Sequence, residues 1–236
     1  MAAAFDAVLF DLDDTLLDGD AAWRSGLARL LARCPQVDRD AALLAWDTAF
    51  ERHFPLYLAG EITFVEQQAA RIRSWAALLD VPLPAGTELD WFGDYLAGYS
   101  AGWAAFADVA PCLTVLTGMR FGVITNGESV QQREKIAALG LTEAFAVVVA
   151  SGDIGIAKPD PRIFRHAVRQ LGTVPERCVF VGDRRDTDAL AATAIGMKGV
   201  WLNRTAGSGD QVPAAGGEVL QIATLAELPV LLRARP

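Results

Sequence analysis

Acidic side chains gather in two short segments of this 236-residue chain, Asp11-Leu12-Asp13-Asp14-Thr15 and Gly182-Asp183-Arg184-Arg185-Asp186-Thr187-Asp188. Between them lie Thr125-Asn126-Gly127 and Lys158-Pro159-Asp160-Pro161. Carboxylates crowded together repel one another unless a cation sits among them. Mg2+ accepts one or two carboxylates while keeping positions for phosphate and water. A carboxylate can also act as a nucleophile and form an aspartyl phosphate. The group being transferred then needs hydrogen bonds and positive charge at its equatorial oxygens, which Thr125, backbone amides and Lys158 can supply. Phosphoryl transfer is the chemistry that suits this set. Each piece alone has a plainer explanation: Asp14 or Thr15 as a helix cap, Asn126-Gly127 as a turn, Asp186 or Asp188 facing a helix dipole, Lys158 as a solvated loop residue. Their joint occurrence, in this order, is what argues for a site.

The elements that must position these residues are legible as short apolar runs bounded by turn residues. Residues 4–10, 120–125, 145–150, 178–182 and 199–202 have this character, with 218–222 a weaker sixth. Runs that are apolar on both faces suit parallel strands covered by helices. Helical patterns over 130–139, 161–171 and 187–195 each close on a glycine, at Gly140, Gly172 and Gly196. Strands alternating with helices predict a doubly wound, Rossmann-like α/β domain with a parallel sheet. In such sheets ligands bind outside the carboxyl ends of the strands, and that is where all four polar segments fall. The rhythm breaks between Leu17 and Trp103, where only helical patterns occur: 21–33, 38–58, 63–79 and 89–103. The expected organisation is a core of residues 1–16 and 104–236 interrupted by a helical insert, 17–103. Residues 206–217 read as a loop.

Composition narrows the class. Hydrophobic residues make up 52% and mean hydropathy is +0.25, which rules against disorder. A net charge of −8 and a pI near 4.8 disfavour nucleic acid and anionic membranes as partners, but not a small anionic substrate. Cys34, Cys112 and Cys178 are scattered without zinc or disulfide spacing, as suits a reducing compartment. The opening residues lack the positive region of a secretory signal, and no uncharged apolar stretch reaches 18 residues. A cytoplasmic protein, monomer or homodimer, is expected.

Together the four segments resemble the motifs of the haloacid dehalogenase superfamily. The resemblance covers about residues 5–16 and 107–205, and the insert resembles that family's helical cap. It implies Asp11 as nucleophile and Mg2+ ligand, and Asp13 as general acid and base whose carbonyl also meets the metal. It further implies Thr125 and the Asn126 amide as phosphate holders, Lys158 as charge balance, Asp183 as metal ligand and Asp188 as holder of a metal-bound water. Dehalogenase-like members lack an acid at the position of Asp13, so the resemblance points to a phosphatase acting on a small phosphorylated metabolite. A phosphosugar mutase and a non-enzymatic phospho-acceptor domain are the alternatives. Arg184-Arg185 departs from the small polar residue common there, leaving Asp186 as a rival to Asp188. In the insert, the aromatic residues read mainly as core. His53 is expected near a helix end, and Arg71 and Arg73 on an exposed face or paired with Glu66.

Overall fold

A computed structural model describes residues 5–205 and 219–233. The chain divides into two compact units, one of residues Met1–Asp18 and Ala105–Pro236, the other Gly19–Ala104. The first is built on six strands: β1 (Ala7–Phe10), β2 (Arg120–Thr125), β3 (Val147–Ala150), β4 (Cys178–Gly182), β5 (Lys198–Leu202) and β6 (Leu220–Ile222). They form one sheet in the order β3-β2-β1-β4-β5-β6, and every pairing is parallel. The connections run outward from β1 through β2 to β3, then return across β1 to β4. That reversal leaves a crevice beyond the carboxyl ends of β1 and β4, where Phe10 and Val181 are partners in register.

β1 and β4 are buried along their whole lengths, which explains why both are uninterrupted apolar runs. One face of the sheet is covered by α8 (Pro161–Gln170). Its apolar stripe of Ile163, Phe164, Ala167 and Val168 packs with Leu9, Ile124 and Phe180. Pro161 occupies the first turn, and the Asp160 carboxylate accepts from the Arg162 N–H at 2.8 Å. Gly172, with φ 64°, ends the helix in the left-handed conformation. The helix α6 (Ser129–Ala138) is capped by Glu128, which accepts from the Gln131 N–H, and stops before Gly140 at φ 69°.

Two local expectations need adjusting. A short helix, α5 (Val109–Val115), stands where no element was anticipated, because seven residues give too little periodicity to detect. The segment 187–195 is not one regular helix: a π-helical turn over Arg185–Leu190 leads into α9 (Ala191–Thr193). The wider turn brings the Asp188 side chain back to the Arg184 N–H. Two short helices, α7 (Ser151–Ile154) and α10 (Leu228–Arg233), complete this unit. The expected loop 206–217, the first residues of the run 4–10 and Glu218 lie outside the described residues.

The second unit holds α1 (Gly19–Arg33), α2 (Arg39–Leu58), α3 (Phe64–Leu78) and α4 (Glu88–Ala101). α1 and α4 approach closely over glycines: a Cβ on Gly98 would lie 2.5 Å from the Ser25 carbonyl oxygen. Trp46 and Trp75 are wholly buried, and Trp75 Nε1 donates to the Ala42 carbonyl at 3.1 Å. Arg71 is neither exposed nor paired with Glu66. It is buried, its guanidinium 4.3 Å from the Trp46 ring centroid and 4.9 Å from that of Phe50. Glu66 instead closes a capping box with Thr63, and Arg73 pairs with Glu88 at 3.4 Å. His53 lies inside α2, since that helix runs on through Pro55, and its Nε2 meets Ser74 Oγ at 2.7 Å. Partial burial and the neighbouring Arg52, Arg73 and Arg71 lower its pKa. The three cysteines are buried free thiols. Among the described residues no helix is long and apolar enough to cross a membrane.

Truncating Trp75 removes a buried indole and its hydrogen bond together. Trp75→Ala should cost about 3–5 kcal/mol, read as a lowered urea midpoint for the loss of helical signal.

Candidate active site

β1 delivers Asp11 at its end, and the Asp11 N–H donates to the Val181 carbonyl at 2.9 Å, extending the β1–β4 ladder by one bond. The chain then turns sharply: Leu16 and Leu17 both donate to the Leu12 carbonyl, and Asp14 takes the left-handed conformation at φ 57°. This turn sets Asp11 and Asp13 apart and aims the Thr15 hydroxyl at the site. Thr15 Oγ1 donates to Asp11 Oδ2 at 3.4 Å and accepts from the Asp183 N–H at 3.0 Å.

The ammonium of Lys158 sits at the centre. Its Nζ is 2.6 Å from Asp11 Oδ1 and 2.7 Å from Asp188 Oδ1, with all three side chains buried. Asp183 completes a triangle with Asp11 and Asp188 in which one carboxylate oxygen from each lies within 4.8 Å of the others. Asp188, not the exposed Asp186, is thus the second acid brought from the fourth segment; Asp186 meets only Arg185, at 3.4 Å. Burial pushes the Asp11 carboxyl up to about 6 despite Lys158, and the charges of Asp188 and Asp13 add to the rise. Asp183 is pushed up to about 9, first by burial, then by repulsion from Asp11, Asp188 and Asp14. Burial alone would lower the Lys158 pKa, but Asp11 and Asp188 outweigh it and hold the ammonium above its ordinary range. Lys158 therefore stays charged.

Thr125 ends β2 and is buried. The Asn126 carboxamide pairs reciprocally with the backbone of Lys158, donating to its carbonyl at 3.0 Å and accepting from its N–H at 2.8 Å. The side chain of Asn126 thereby holds the lysine loop, whose Lys158–Pro159 bond is cis. Ser151 Oγ accepts from the Gly127 N–H at 2.9 Å, tying the turn after β2 to α7. The seven expected site residues thus all lie within a single unit, at or just beyond the ends of β1, β2 and β4 and before α8.

Three contributors were not anticipated from the sequence. Gln132 on α6 donates to Asp13 Oδ2 at 2.9 Å and to Thr125 Oγ1 at 2.6 Å. Lys135 contacts both Asp13 oxygens, at 2.7 and 2.9 Å. The signal available was two polar residues on the buried side of an otherwise ordinary amphipathic helix. Further out, Arg204 donates to the Thr15 carbonyl at 2.7 Å and forks onto Asp108 at 2.9 and 3.1 Å. It fixes the outer side of the Asp14–Thr15 turn.

A sequence model described as haloacid dehalogenase-like hydrolase matches residues 5–196. The chain belongs to this family. Among relatives of this haloacid dehalogenase-like hydrolase, a glyceraldehyde 3-phosphate phosphatase of Methanothermobacter thermautotrophicus is 30% identical over 96% of the chain and 99% of its own length. The pyrimidine 5'-nucleotidase YjjG of Escherichia coli is 30% identical, covering 84% of the chain and 86% of its own. In fold, the chain matches the HAD-hydrolase YfnB of Bacillus subtilis, crystallised bound to magnesium, with a TM-score of 0.78 at 23% identity. That match covers 98% of this chain and 99% of the other.

The donor set of this hydrolase consists of carboxylate oxygens, which suits a hard divalent cation. Asp183, forced towards its neutral form by its neighbours, is the residue that such an ion would relieve. Two outcomes follow. Asp11 and Asp183 bind protons more tightly folded than unfolded, so their contribution to stability is full below the ordinary carboxylate range. It is lost as pH rises through about 6 and then about 9. A cation takes the place of those protons, so Mg2+ should raise the melting temperature more at about pH 9 than at about pH 5 in a thermal scan. The second concerns Gly182, where a Cβ would lie 2.4 Å from Asp188 Oδ2 and 2.6 Å from Asp188 Cβ. Gly182→Ala should displace Asp188 from Lys158 and destabilise the protein by about 1–3 kcal/mol, seen in chemical denaturation.

Proposed function

We propose that this chain is a magnesium-dependent phosphatase that hydrolyses a small phosphomonoester through an aspartyl-phosphate intermediate on Asp11. The observation that carries the reading is the buried Lys158 ammonium, 2.6 Å from Asp11 and 2.7 Å from Asp188, beside Asp183 at the strand ends. The phosphatase and nucleotidase activities of the two relatives support it.

In this reading one oxygen of Asp11 attacks phosphorus while Lys158 holds the other, which fixes the orientation of the nucleophile. The bond from phosphorus to the leaving oxygen breaks, and that oxygen takes a proton from Asp13. Water then attacks the aspartyl phosphate, returns a proton to Asp13 and releases phosphate. Asp11, Asp183 and the Asp13 carbonyl would hold the metal, with Asp188 steadied by Lys158. The metal, when bound, supplies positive charge to the phosphoryl oxygens. Thr125 and the amide of Asn126 serve the remaining oxygens.

The test is phosphate release from p-nitrophenyl phosphate and a panel of phosphometabolites, with Mg2+ and with chelator. Turnover should require metal and vanish in Asp11→Asn. On the phosphometabolites, whose leaving oxygens need a proton, Asp13→Ala should lose about 10²–10⁴-fold, and Lys158→Met should lose on the order of 3 kcal/mol of transition-state stabilisation. Equal rates in wild type and Asp11→Asn would remove Asp11 as nucleophile. A requirement for a bisphosphorylated sugar, without net phosphate release, would favour the mutase alternative.

A further inference from the structure

Asp13 is held not by Lys158 but by α6. Lys135 and Gln132, one turn apart on the same face of that helix, make three hydrogen bonds to its two oxygens. Both donors are buried, whereas a third of the Asp13 side chain is open. The side chain of Gln132 reaches this position over Gly127, where a Cβ would lie 2.9 Å from Gln132 Cδ. The same Gln132 amide nitrogen that donates to Asp13 also donates to Thr125 Oγ1, so the expected proton donor and the expected phosphate holder share one anchor.

A buried ammonium is costly unless a carboxylate meets it, and a carboxylate gripped at both oxygens has little freedom to turn. The arrangement therefore does more than fill space. It leaves the exposed edge of Asp13 as the side from which a leaving group can be served, and it provides hydrogen bonds for the carboxylate that remains once the proton has gone.

We propose that Lys135 and Gln132 are positioning residues for proton delivery: they fix Asp13 against α6 and tie its placement to that of Thr125. This rests on the phosphatase reading. In the step concerned, the electron pair of the breaking P–O bond goes to the leaving oxygen, the Asp13 proton passes to that oxygen, and the Asp13 carboxylate is received by Lys135 and Gln132. Their effect should therefore grow with the leaving group's need for a proton.

Two esters of similar size separate this from a structural role. Phenyl phosphate expels a phenol whose pKa is about 10, as for tyrosine, and needs a proton. p-Nitrophenyl phosphate expels a much more acidic phenol and does not. With Mg2+ present, Lys135→Met should lower kcat for phenyl phosphate at least about tenfold more than for p-nitrophenyl phosphate, part of the 10²–10⁴-fold range of general acid catalysis. KM should change little, and Gln132→Met should shift the ratio in the same direction. In an Asp13→Asn background, Lys135→Met should have no further effect on that ratio. Equal losses on both esters, or a full effect of Lys135→Met without Asp13, would overturn the proposal while leaving the phosphatase reading intact. A wild-type protein that releases phosphate from neither ester nor any phosphometabolite would take both down. Should Lys135→Met fail to fold, the Gln132→Met ratio decides.

Discussion

A lysine ammonium buried between two carboxylates is a demanding object to build. Taking the three charges out of water costs several kcal/mol each, and the Coulomb attraction repays this only when the geometry is held tightly. Much of the surrounding structure can be understood as that holding. The Asn126 carboxamide fixes the backbone of Lys158, the π-helical turn brings Asp188 to its ammonium, and Gly182 leaves the space that Asp188 fills. The β1–β4 ladder continues through Asp11, so the carboxylate is placed by the sheet and not by a flexible loop.

The electrostatics of the site are lopsided. Lys158 balances two acids on one side, whereas Asp183 is driven towards its neutral form by burial and then by the charges of Asp11, Asp188 and Asp14. Asp13 lies in a separate environment governed by Lys135 and Gln132. Two neighbouring acids in one motif thus experience different surroundings, which suits the proposed division in which one carboxylate attacks phosphorus and the other handles protons.

The sheet and the ligand-bearing edge were legible because their causes are local. Doubly buried parallel strands must be apolar runs, and their ends must be polar where a ligand binds. The four helices of the insert were equally legible from their spacing. What escaped was whatever depends on the third dimension. Gln132 and Lys135 look like surface residues of an amphipathic helix until α6 is laid against the turn after β1. Arg71 reads as exposed because a cation among aromatic rings leaves no mark in a helical pattern. The π-helical turn was hidden because Thr187–Ile195 retains helical spacing, although its one acid, Asp188, is drawn inward to Lys158 and the Arg184 amide.

The strand order also bears on how the molecule comes to be made. Of the six strands of the sheet, β1 is synthesised first, yet it ends in the middle with a partner on each side. One partner begins at Arg120 and the other at Cys178, so β1 waits through the synthesis of all four helices of residues 19–104 before either can pair with it. The helical unit has only local contacts to make and can condense during that interval, while the sheet pays the loop-closure entropy of a long excursion. Lys158, Asp183, Asp188 and Arg204 arrive later still. Asp11, just past β1, therefore remains in water until Lys158, the cation that justifies burying it, has been synthesised, and the chain cannot commit to the most expensive part of its structure early.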